Sequence, residues 1–194
     1  MQSPTQSFGG PAGNEVLTSA AAAVLTLLLV AEGVTILDMG GLRTPHMFVG
    51  MLLIPPVLVK LGSTGYRFTR YYLGARPYRE KGPPFLPLRL LAPILVAATL
   101  AVFASGVVLL IDGHKSDLVL EIHKVTFIVW GVVFAVHFLW YLPRMVRSLG
   151  SDWTAARRRE LPGSGQRLAL LVGATAAGIA LAVVLLSTIR AWHG

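Results

Sequence analysis

Five runs of apolar residues divide the chain, at about 16 to 37, 45 to 63, 88 to 112, 118 to 142 and 167 to 190, with short polar connections between them. A helix rises about 1.5 Å per residue and a bilayer's hydrocarbon core is about 30 Å thick, so each run is long enough to cross. The pattern predicts an all-α membrane protein with five transmembrane helices. The second run contains Pro55-Pro56, which predicts a kink or local unwinding, because proline removes a helical hydrogen bond and its ring crowds the preceding turn. Thr44 before Pro45 reads as an N-cap followed by the first helical residue, and Ser116 or Asp117 caps the fourth run. Residues 1 to 14 are uncharged and rich in Gln, Ser, Gly and Pro, which predicts a disordered lead. No basic segment precedes the first apolar run, so no cleaved signal peptide is expected. The organisation read from these limits is a lead at 1–14, a four-helix membrane core at 15–143, a basic loop at 144–166, and a fifth helix with a short tail at 167–194.

Composition narrows the class. With 54% hydrophobic and 13% charged residues, the chain has too little polar surface to cover a soluble globule of 194 residues. It has no cysteine, which removes disulfides, thiolate metal sites, iron–sulfur clusters and thioether-linked haem, and leaves His, Lys, Met or carboxylates to hold any metal. Thirteen of the seventeen Lys and Arg residues fall in the connections after the second and fourth runs or on their flanks: Lys60, Arg67, Arg70, Arg76, Arg79, Lys81, Arg89, Arg144, Arg147, Arg157, Arg158, Arg159 and Arg167. Arg43, Lys115, Lys124 and Arg190 are on the other side. The positive-inside rule then predicts a multi-pass protein of the bacterial cytoplasmic membrane, N-terminus in the cytoplasm and C-terminus outside. Topology and anionic headgroups account for the net charge of +8, and no nucleic-acid recognition module is present. Tyr66, Tyr71, Tyr72, Trp140 and Tyr141 fall near the cytoplasmic ends, as an interfacial aromatic belt does.

The candidate chemistry lies in two pairs spaced by fourteen residues, His46 with Lys60 and His123 with His137. Fourteen residues are nearly four helical turns and about 21 Å, so each pair shares a helix face at two depths. His46 and His123 both follow connections on the outer side, which puts them at similar depth. A buried imidazole is disfavoured unless its nitrogens are used, and an iron ligand uses one while a hydrogen bond uses the other. Gly50, one turn after His46, offers space for a porphyrin, and Gly131, midway between His123 and His137, offers room for close helix packing. Arg43, Lys115 and Lys124 stand near the outer pair as partners for propionates, and Arg67 and Arg70 near the inner one.

Plainer readings stand beside these. His114 and His193 read as interfacial residues, Lys60 as a side chain reaching the cytoplasmic interface, and Arg157-Arg158-Arg159 as a solvated patch. Glu32 is either a proton relay beside a quinol site or a hydrated carboxylate near the outer interface.

The segment LEIHKVTFIVWGVVFAVHFLWYL, residues 118 to 142, resembles the helix of transmembrane b-type cytochromes that carries two haem ligands fourteen positions apart. TPHMFVGMLLIPPVLVKLGSTGYRF, residues 44 to 68, resembles the partner helix. The resemblance implies an antiparallel four-helix, two-haem cytochrome b-like bundle, here with one peripheral helix added. It implies that His46 and His123 are the axial pair of an outer haem b and that His137 ligates an inner one. Lys60 stands where a fourth histidine is expected: it ligates through a deprotonated amine, or the inner haem has one protein ligand, or that site is empty. LGSTGYRFTRYYLGARPYREKGPP also resembles actinobacterial membrane proteins. The implied function is electron transfer by an oxidoreductase subunit, between a quinone pool and an extracytoplasmic redox protein, within a larger membrane complex. The competing class is a haem-free small transporter or a scaffold for a membrane complex, with the histidines lining a polar cavity and Pro55-Pro56 acting as a hinge.

Overall fold

The computed structural model describes residues 10–82, 85–112, 117–152 and 162–192. Most of the lead, His114, Lys115, Ser116, the Arg157-Arg158-Arg159 run and His193 lie outside the described residues. The described residues form helices and connecting turns: α1 Gly10–Ile36, α2 Arg43–Tyr72, a short α3 Arg76–Glu80, α4 Leu86–Asp112, α5 Asp117–Asp152, α6 Ser164–Val184 and a short α7 Leu186–Ala191. Five of them, α1, α2, α4, α5 and α6, are long and apolar enough to cross a membrane. Large apolar side chains such as Leu27, Leu58, Leu100, Val132 and Leu168 point outward, as a lipid solvent permits and water does not.

Several boundaries move. Helix α1 begins at Gly10, inside the stretch expected to be a disordered lead, and buries Gly13 and Asn14. Helix α2 begins at Arg43 with Leu42 at its cap position, so Thr44 is not the N-cap. Asp38 closes that turn instead, accepting from the Gly41 amide at 3.1 Å through its side chain and from the Leu42 amide at 2.8 Å through its backbone carbonyl. Helix α2 continues through Pro55 and Pro56 as one 30-residue helix, and α5 runs on past Pro143 into the segment read as a basic loop.

Helix α1 packs on α2 and α4 packs on α5, giving two hairpins. These meet where α1 touches α5 and, more loosely, where α2 touches α4. At one end of the molecule Glu15 of α1 pairs with Lys81 at 2.5 Å and faces Arg144 of α5 at 3.9 Å, while Trp140 stacks on Phe85 at 5.0 Å. The arginine-rich and aromatic-rich connections thus share that end.

The fifth span lies outside the two hairpins but is closely seated on α2. The main buried cluster joins Met51 and Leu52 of α2, Leu110 of α4, Ala182 of α6 and Ile189 of α7. Pro56 has no N–H to give to the Leu52 carbonyl four residues earlier. Gly178 of α6 lies against that carbonyl so closely that a Cβ there would stand 2.3 Å from its oxygen. A bare Cα–H beside an oxygen short of its helical donor suits a weak C–H···O contact, and small residues let membrane helices approach this far. The C-terminal turn is pinned in the same region, with Trp192 Nε1 donating to the Leu109 carbonyl at 2.8 Å and the Arg43 guanidinium 5.2 Å from the Trp192 ring centre.

Candidate functional site

His46 enters on the first turn of α2 and His123 on the second turn of α5, one from each hairpin, and their ring centres lie 6.4 Å apart with the planes nearly perpendicular, at 81°. Each ring is held from behind by the other helix of its own hairpin. His46 Nδ1 faces Glu32 Oε1 at 3.0 Å and Thr35 Oγ1 at 3.1 Å, both on α1. The Thr35 hydroxyl proton goes to the Glu32 backbone carbonyl at 2.5 Å, so its oxygen is free to accept. His123 Nδ1 faces the Val102 carbonyl at 3.1 Å and Ser105 Oγ at 2.9 Å, both on α4. Ser105 gives its own proton back to the helix, to Ala101 at 2.7 Å or Val102 at 3.0 Å.

These partners assign the tautomers. A carbonyl or carboxylate oxygen accepts, so both Nδ1 atoms carry a proton, which in a neutral imidazole leaves the lone pair on Nε2. Among the described residues neither Nε2 has a hydrogen-bond partner. Two such lone pairs cannot satisfy each other. A water, a proton or a metal ion can.

The donor set also limits which metal. Among the described residues no group of three or more His, Cys, Asp or Glu stands ready to hold an ion, so an all-protein zinc cage is not formed here. Two imidazoles are enough when a planar macrocycle fills the other four positions. The spacing fits that arrangement: two metal–nitrogen bonds of about 2 Å, plus about 1.1 Å from each nitrogen to its ring centre, separate the ring centres by about 6 Å. An open apolar groove of about 440 Å³ runs between α2 and α4 from Ile54 onward, eight residues past His46, bounded by Ile54, Val57, Leu58, Leu100, Phe103 and Val107. Pockets for drug-sized ligands and cofactors are about 300–1,000 Å³ and mostly apolar.

Other residues singled out in the sequence fall differently. Gly50 faces α1, where a Cβ would make an ordinary contact, 3.6 Å from Glu32 Oε1. Gly131 faces open space, and the mid-depth tie between α4 and α5 is made next door by Trp130 Nε1 donating to Thr99 Oγ1 at 3.1 Å. Arg43 lies over Trp192, and Lys124 pairs with Glu121 at 2.9 Å on an exposed surface.

The inner pair turns to separate neighbours. Lys60 Nζ donates to the Thr18 carbonyl of α1 at 2.9 Å, within a polar cluster where Asn14 Nδ2 donates to the Ser63 carbonyl and Thr18 bonds the Ser63 hydroxyl. His137 lies against α4, with Nε2 3.2 Å from the Leu88 carbonyl and Nδ1 3.3 Å from the Val133 carbonyl. A neutral imidazole has one N–H, so it donates to one of these carbonyls, and the other stands beside the nitrogen that carries the lone pair. Lys60→Met, which keeps the volume and drops the charge, is expected to alter stability by no more than about 1.5 kcal/mol. A melting curve of the purified variant checks this.

The chain matches no family model, no curated protein and no solved structure. The assignment therefore rests on the geometry of this chain. Thr35, Ser105 and Gly106 carry part of that geometry and were not singled out in the sequence. A Cβ at Gly106 would come within 3.2 Å of His123 Cε1, so this glycine gives the imidazole its seat. The signal was present as a Ser-Gly pair inside the otherwise apolar α4, where neither residue favours a helix.

Proposed function

We propose that the chain is a membrane electron-transfer subunit that binds one b-type haem between His46 and His123. The observation that carries the reading is the approach of two imidazoles from separate hairpins, each with Nδ1 tied back and Nε2 left with an unused lone pair. The haem would supply the one-electron chemistry. The residues would supply its placement: His46 and His123 would hold it, with Thr35, Ser105 and Val102 as acceptors that fix the ring tautomers. Burial and axial nitrogen ligation are the means by which such a site sets its potential.

The positive-inside rule puts this site near the outer face, with the Glu15, Lys81 and Arg144 end in the cytoplasm of a bacterial cell. A redox partner docked outside and a quinone in the bilayer are the exchange partners that position favours, within a larger complex. One haem is proposed rather than two, because Lys60 and His137 are engaged with different neighbours.

The test is optical. Protein purified from haem-replete cells is expected to show a Soret band and a reduced-minus-oxidised α-band of b type, at one haem per polypeptide. Colourless protein overturns the proposal. The haem-free alternative draws on the buried Lys60, Thr18, Ser63 and Asn14 cluster, which would then be part of a polar path for a small transporter.

A further inference from the structure

The two imidazoles have unequal backing. Behind His123 stand a neutral hydroxyl and a peptide carbonyl. Behind His46 stands a carboxylate, 3.0 Å from Nδ1, with side chains only 21% exposed for the histidine and 14% for the glutamate. The second carboxylate oxygen, Glu32 Oε2, is buried with no hydrogen-bond partner among the described residues. A carboxylate left with one oxygen bare would gain from water, yet α1 holds it against the ring. Thr35, one turn on, closes the other side of the same nitrogen.

We infer that Glu32 is a positioning residue that makes His46 the stronger of the two axial donors and lowers the tendency of the site to take up an electron. This inference rests on the haem-binding reading above. The physical reason is local. A charge-assisted hydrogen bond from Nδ1–H to a carboxylate pushes electron density onto the ring, raises the basicity of Nε2 and favours the more positive, oxidised metal. A hydroxyl and a carbonyl do this far less. The asymmetry gives the chain one ligand whose strength is set by charge and one set by neutral dipoles, so the potential can be moved from the α1 side without altering either axial residue.

The test compares wild type, E32Q, E32D and S105A as purified, haem-loaded protein. Glutamine keeps the shape and an acceptor oxygen but loses the charge. At a fixed ambient potential near the wild-type midpoint, E32Q is expected to raise the reduced-to-oxidised ratio about tenfold while retaining haem. E32D is expected to restore most of the wild-type ratio, and S105A to change it much less. An E32Q ratio equal to wild type, or a larger shift in S105A, overturns the inference. Should E32Q not accumulate, the redox-induced infrared difference spectrum of wild type labelled with 13C-glutamate answers the same question: a carboxylate band that moves with haem oxidation is expected, and its absence counts against Glu32. The two readings fail separately. Wild type without haem removes both, whereas haem-loaded wild type whose potential ignores Glu32 removes only this one.

Discussion

Alanine in place of His46 or of His123 is expected to leave purified protein with its Soret absorbance reduced at least about tenfold, whereas alanine in place of His137 leaves it intact. Among the described residues His46 and His123 are the histidines whose rings meet, and the nearby cations have other partners: Arg43 lies over Trp192 and Lys124 pairs with Glu121. The effect should reach stability as well. The main neighbours of α2 are α1 and α6, and those of α5 are α4 and α1, so a group held by both histidines would tie the two hairpins together across their looser junction. Ligand that binds only the folded state stabilises it by RT ln(1 + L/Kd), where L is the free ligand concentration. The His46 and His123 variants are therefore expected to melt below wild type, and haem depletion of wild type is expected to lower its melting temperature toward theirs. Full haem content in either variant would remove the ligand assignment.

The sequence made the spans and the outer pair legible because both depend on counting. Apolar length decides how many helices can cross, and the position of a residue within the first turns of alternate spans decides which end of the molecule it occupies. His46 and His123 follow connections on the same side, so equal depth followed from topology alone. The inner pair was not legible for an equally physical reason. Fourteen residues at 100° leave a residue about 40° short of full register, and counting along one helix says nothing of which neighbour covers that face. In the fold α1 brings the Thr18 carbonyl to Lys60, and α4 brings the Leu88 carbonyl to His137. The residues behind the outer rings were hidden differently. Glu32 was visible as a charge in an apolar span, but its pairing with His46 is a contact between helices, and Thr35 and Ser105 look like ordinary helix hydroxyls that bond back to the preceding turn.

Gly178→Ala is expected to be the most destabilising glycine-to-alanine change among the described residues, because the added Cβ would sit 2.3 Å from the Leu52 carbonyl oxygen and 3.3 Å from the Leu52 Cα. No side chain can rotate away to relieve that contact; the obstacle is backbone. Helix α6 must move bodily off α2, and in doing so it opens the packing of Ala182, Met51 and Leu52, which form one cluster with Ile189. It also withdraws the Gly178 Cα–H from the carbonyl that Pro56 leaves without its helical donor. Overpacking of this kind costs about 1–3 kcal/mol or more, which for a chain of this size lowers the melting temperature by about 2–10 °C. Gly173→Ala, five residues earlier on α6, is the control: a Cβ there meets nothing within 4 Å, so its melting temperature should equal or slightly exceed wild type. Because α6 and α7 bring Trp192 to Leu109 and Arg43 near the His46 end, Gly178→Ala is also expected to make the segment after Pro162 more open to proteolysis in detergent. If both variants melt alike, the close seating of α6 on α2 is not a feature of the folded protein, and the fifth span is no more than a lipid-facing attachment.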